Sequence, residues 1–78
     1  MILKQAKEYF ELGVITGFSA VRDPLSIDGW LLVIEGKEGR SWTLQTALKT
    51  EKSYASLDTL MGEVENIAGR VSSFSIKV

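Results

Sequence analysis

The chain contains no cysteine and no histidine. The first absence removes disulfides and thiolate metal sites together. The second removes the commonest zinc ligand and the commonest general base. What remains for metal is a carboxylate-only site of the magnesium or calcium type, and no motif in the sequence supports one. No segment approaches the roughly 18 consecutive apolar residues needed to span a bilayer, so no membrane association is expected. Nor is there an excess of one charge: nine basic and ten acidic residues leave a net charge of -1. Proteins that coat nucleic acid nonspecifically carry a clear basic excess, which this chain lacks. Lys4, Lys7, Glu8 and Glu11 interrupt the stretch from Met1 to Leu12, which therefore reads as neither a signal nor a transit peptide. The cytoplasm is the expected address.

At 78 residues the chain is long enough for one domain, residues 1–78, and not for two. A domain of this size buries only about 60% of the surface its unfolded chain exposes. Small domains commonly offset that with disulfides, metals or a second subunit. With the first two excluded or unsupported, a homodimer is the expected compensation.

Two hydrophobic periods divide the chain. Leu3, Ala6 and Phe10 recur at helical spacing and Gly13 follows as a left-handed terminator. From Val14 the period is two: Val14, Thr16, Phe18 and Ala20 fall on one face, Ile15, Gly17, Ser19 and Val21 on the other. Arg22-Asp23-Pro24 ends this strand, because proline removes a ladder donor, and Ser26 to Gly29 complete a polar connection. Trp30 to Glu35 and Arg40 to Leu48 are alternating runs around Gly36-Lys37-Glu38-Gly39, the pattern of a β-hairpin. In one register Trp30 and Trp42 share a face; a slip of one residue separates them. Lys49 to Ala55 reads as a polar connection. Ser56 stands as the N-cap of a second helix with Asp58 in its first turn. Leu57, Leu60, Met61, Val64, Ile67 and Ala68 form its apolar stripe, and Gly69 ends it. Gly62 either weakens that helix or permits close packing. Phe74 to Val78 alternate as a last strand. The expected fold is a single α+β domain in the order α-β-β-β-α-β, a mainly antiparallel sheet with the hairpin at its centre and two helices packed against it. A crossover that joins parallel strands is expected to be right-handed.

Catalysis has little to draw on. Activated nucleophiles need an adjacent base, and Glu63 and Glu65 are explained as a solvated helix face. The chain is therefore expected not to be an enzyme and to need no cofactor. The glycines of Gly36-Lys37-Glu38-Gly39-Arg40 lack phosphate-loop spacing and do not open a helix, so a turn accounts for them. Nucleic-acid binding has more support. Arg22, Lys37, Arg40, Lys49, Lys52 and Arg70 sit at strand ends, turns or helix ends, and phosphate contacts require that several converge. Trp42 or Tyr54 would stack on bases if exposed; as core anchors they would not. An uncovered sheet face, apolar at Val14 to Val21 and Trp30 to Ile34, would equally make a dimer surface.

Thr16-Gly17-Phe18-Ser19-Ala20-Val21-Arg22-Asp23-Pro24, Gly29-Trp30-Leu31-Leu32 and Arg40-Ser41-Trp42-Thr43-Leu44-Gln45-Thr46-Ala47, followed by the Ser56-Leu57-Asp58 helix start, form one extended pattern. That pattern resembles small partition-associated (ParC-like) proteins of bacterial plasmids and integrated mobile elements. The resemblance implies a non-catalytic accessory role in plasmid maintenance, exerted through DNA or a partition protein. The family's basic loop after Thr46 corresponds here to Lys49-Thr50-Glu51-Lys52, which is half basic. The alternative is a protein-interaction dimer module with no nucleic-acid contact. Clustering of Arg22, Arg40, Lys49 and Lys52 would favour DNA; an exposed patch at Trp30 or Phe18 would favour protein.

Overall fold

The change of period at Gly13 is where the first element ends. The computed structural model describes residues 1–69 and 75–77. Helix α1 spans Leu3–Glu11, and Gly13 follows with φ +75°, a conformation open to glycine at no steric cost. Its amide and that of Val14 donate to the carbonyls of Phe10 and Tyr9, which closes the helix end. Strand β1 (Ile15–Arg22) then pairs antiparallel with β2 (Trp30–Gly36), whose turn over Lys37–Gly39 leads to the short β3 (Ser41–Thr43). Strand β4 (Ser53–Tyr54), helix α2 (Leu57–Ala68) and strand β5 (Ser75–Lys77) complete the chain. The order across the sheet is β3-β2-β1-β5, with β4 also pairing to β2. The fold is α+β and mainly antiparallel; only β5 runs parallel to its neighbour β1.

Several expectations need correction. The hairpin forms, but β1 and β2 occupy the centre and β3 is a three-residue flank. The run to Leu48 does not continue as strand. Residues Thr46 to Thr50 close a tight turn, with the Thr46 amide donating to the Thr50 carbonyl at 2.8 Å and Lys49 at φ +64°. That turn returns the chain to β2, so Ser53–Tyr54 is a strand where a polar connection was expected. In β1 the pairing advances two residues, Ile15 to Gly17, while β2 advances one, Gly36 to Glu35. This bulge changes the phase of the strand. Ile15 therefore packs on the core, which the simple alternation assigned to the opposite face. Of the expected last strand, Phe74 and Val78 lie outside the described residues.

Both helices serve one face of the sheet. Ala6 of α1 and Leu60, Val64 and Ile67 of α2 are buried with Phe18, Ala20, Trp30, Leu32, Ile34, Leu44 and Tyr54. Trp42 lies opposite Ile34 on the same face as Trp30 and meets Tyr9 edge-on, ring centroids 5.7 Å apart. On the other face Ser19 is buried, and its hydroxyl donates to the Glu35 carboxylate at 2.9 Å. The expected caps of α2 are present: Ser56 Oγ accepts from the Thr59 amide, and Gly69 follows at φ +71°.

Two glycines give opposite predictions. A Cβ at Gly62 would meet nothing within 4 Å, so close packing does not explain it. Gly62→Ala should stabilise the protein by about 0.5–1 kcal/mol in urea titration. A Cβ at Gly36 would stand 2.7 Å from the Trp42 indole and 3.2 Å from the Val14 carbonyl oxygen. Gly36→Ala should therefore destabilise by roughly 1–3 kcal/mol, with a shift in Trp42 emission.

Candidate functional site

Of the six basic residues proposed from the sequence, the five that are described do not form one surface. Arg22 and Trp30 are paired at one end of the β1–β2 ladder, and Ile15 and Gly36 at the other. Six residue steps along β2 separate those ends, about 20 Å at strand rise. Lys37 and Arg40 flank the turn at the Gly36 end, where Arg40 lies 3.9 Å from Glu38 in an exposed ion pair. Arg22, Lys49 and Lys52 belong to the Trp30 end, each engaged differently. The Arg22 guanidinium stacks 4.3 Å over the Trp30 ring. Lys49 lines a cleft between loops. Lys52 Nζ donates to Glu63 Oε1 at 2.9 Å. Arg70 lies outside the described residues. The aromatic candidates are not free platforms either: Tyr54 is buried, and Trp42 is half-buried against Tyr9. Phe18 and Trp30, whose exposure would have marked a protein-binding patch, are buried too.

The exposed apolar residues lie elsewhere. Leu25 and Ile27, in the β1–β2 loop, are each 93% exposed, and Leu48, in the β3–β4 turn, is 88% exposed. Neither segment is slack. The Leu25 amide donates to Asp23 Oδ1, and the amides of Asp23, Ser26 and Gly29 bond to the carbonyls of Gly29, Asp23 and Ser26. The β3–β4 turn is tied by the Thr46–Thr50 backbone bond and by Gln45 Nε2 donating to the Lys49 carbonyl. The two segments flank one cleft of about 420 Å³, lined by Asp23, Pro24, Leu25, Leu31, Lys49 and Glu51 among others. Sequence reading missed Leu25 and Ile27 by treating the connection as polar, and placed Leu48 in a strand. The available signal was two large aliphatic residues between Pro24 and Gly29, where neither a strand nor a helix requires them.

A second feature joins β4 to α2. The Glu63 carboxylate accepts from Lys52 Nζ at 2.9 Å, Tyr54 OH at 3.2 Å and Asn66 Nδ2 at 3.4 Å. Burial pushes the Glu63 carboxyl up. The hydrogen bonds from Lys52, Asn66 and Tyr54, together with the Lys52 charge, outweigh that and hold it below its ordinary value. Burial, then the neighbouring Glu63 charge and hydrogen bond, push the Tyr54 phenol well above its own ordinary value. Among the described residues no group of three or more carboxylates gathers in a metal-binding arrangement. No helix among them is long and apolar enough to cross a membrane. No family model, curated protein or solved structure matches the chain.

A group whose pKa is depressed by folding stabilises the fold above its unfolded pKa, and that contribution disappears as pH falls through the folded value. Stability conferred by Glu63 should thus be complete at neutral pH and decline below about pH 4.5, its reference value. Urea melts of the parent and of Glu63→Gln between pH 7 and pH 3 should converge at the acid end. A constant difference across that range would show that Glu63 is not the titrating group.

Proposed function

We propose that this chain is a non-catalytic, cytoplasmic protein-interaction module that pairs with a second copy through the end carrying Leu25, Ile27 and Leu48. The observation that carries this reading is the near-complete exposure of three large aliphatic side chains on turns held by their own hydrogen bonds. Scattered apolar residues at a surface are ordinary, whereas several on the two segments that flank one cleft mark a contact site. Fully burying one such side chain contributes about 1.5–3 kcal/mol. A two-fold pairing buries each residue twice, against about 4–15 kcal/mol for lost freedom on association. The two terms are of comparable size, so a reversible rather than an obligate pairing is expected. These segments also carry charge of both signs, Asp23 and Asp28 on the β1–β2 loop and Lys49 with Glu51 on the β3–β4 turn.

In the plasmid-maintenance setting implied by the sequence resemblance, such a module acts as an accessory through protein contacts rather than through DNA. The division of its basic residues between two ends of the sheet favours that choice.

Sedimentation velocity across the micromolar to sub-millimolar range is the test, with fluorescence-anisotropy titration against single- and double-stranded DNA beside it. The parent should dimerise reversibly; Leu25→Asp combined with Leu48→Asp should be monomeric, with a melting temperature matching that of the parent diluted until it is monomeric. Leu12→Asp, at the opposite end and 73% exposed, should leave the dimer intact. A parent that stays monomeric throughout, or DNA binding that weakens steeply with salt, would overturn the reading.

A further inference from the structure

A groove of about 470 Å³ lies beside the start of α1, separate from the apolar loop tips, and is lined by Ile2, Leu3, Leu44 and Ala47 with Lys4, Gln45, Thr46, Lys52 and Glu63 at its polar positions. Its volume falls within the range of small-molecule sites, and its walls are mainly apolar. The neutral polar side chains are partly engaged within the protein. Gln45 Oε1 accepts from the Met1 ammonium at 2.8 Å and its Nε2 donates to the Lys49 carbonyl at 3.2 Å. The Thr46 and Thr50 hydroxyls bond each other at 2.8 Å. Lys4 forms no ion pair with the described residues. Lys52 gives one of its three N–H groups to Glu63 and stands 5.4 Å from the Tyr54 ring centroid. Two ammonium groups and one carboxylate leave the rim with a net positive charge.

We propose that this groove binds a small aliphatic carboxylate, its hydrocarbon body against Ile2, Leu3, Leu44 and Ala47 and its head between Lys4 and Lys52. The apolar walls select the chain. The two lysines favour the anion over an alcohol or amide, because a charge-assisted hydrogen bond to an ammonium is stronger than a neutral one. The Glu63 carboxylate, held by Lys52, Tyr54 and Asn66, fixes one of the two cations in position. It also disfavours ligands carrying more than one negative charge, so a monoanion fits best.

The probe is sodium octanoate, titrated into the uniformly 15N-labelled full chain and followed by amide chemical shifts. Saturable shifts are expected at Leu3, Lys4 and Leu44 to Ala47, with acetate giving none and octanol binding roughly fivefold more weakly or worse. Lys4→Met touches no internal ion pair and should keep the fold, yet weaken octanoate to the level of octanol. Lys52→Met should do the same if its amide spectrum remains folded. Absence of saturation, equal affinity for octanol and octanoate, or shifts confined to Leu25, Ile27 and Leu48 would each overturn the assignment.

Discussion

The register between β1 and β2 sets Phe18 beside Ile34, Ala20 beside Leu32 and Arg22 beside Trp30, and every other element is positioned by that ladder. Those residues alternate onto the face that both helices cover. A slip by one would carry the buried set to the opposite face and bring Ser19, Val21 and Val33 beneath α1 and α2. The bulge at Thr16 makes the register compatible with both ends of the strand. It brings Ile15 back to the core while allowing β1 to begin two residues after Gly13. Gly36 completes the arrangement, since the Trp42 indole occupies the space a side chain there would need.

Where the ladder supplies hydrophobic order, the Glu63 cluster ties α2 to β4 by polar contacts. Tyr54 is buried at the edge of the core, and a phenol so placed needs an acceptor. Glu63 supplies it from one turn of α2, Lys52 neutralises the carboxylate, and Asn66 adds a bond from the next turn. The cluster is satisfied from within, so its chemical plainness is consistent with a structural origin: no unpaired buried polar side chain is left among the described residues. The same lysine borders the groove beside α1, which makes one side chain common to the packing of α2 and to the charge of that rim.

Local patterns carried the helices well. Gly13, Ser56 and Gly69 each act through the backbone of their immediate neighbours, and each stands where the residue pattern places it. The hairpin turn at Lys37–Gly39 is of the same kind. Legibility declined where distance along the chain mattered. Alternation through Thr46 and Leu48 suggested strand, but the bond between Thr46 and Thr50 turns the chain, and Tyr54 earns its strand position only by pairing with Trp30. The phase shift at Thr16 likewise reflects which β2 residue it fails to meet. Of the candidate site, the basic residues were visible as residue types, yet their separation was not, because the ladder that divides them is a long-range contact. Leu25 and Ile27 were visible as anomalies in a loop; only the structure shows that Leu25 shares a cleft with Lys49 and Thr50 of the turn bearing Leu48.

The first residues of the chain also close an edge. The Met1 ammonium donates to the Thr43 carbonyl, the Gln45 amide donates to the Met1 carbonyl, and Ile2 pairs in parallel with Gln45. Unpaired strand edges template the addition of further strands, and that addition has no natural end point. Here the outward groups that follow β3 are already occupied by a two-residue strap. Accretion strand upon strand along this border is thereby discouraged.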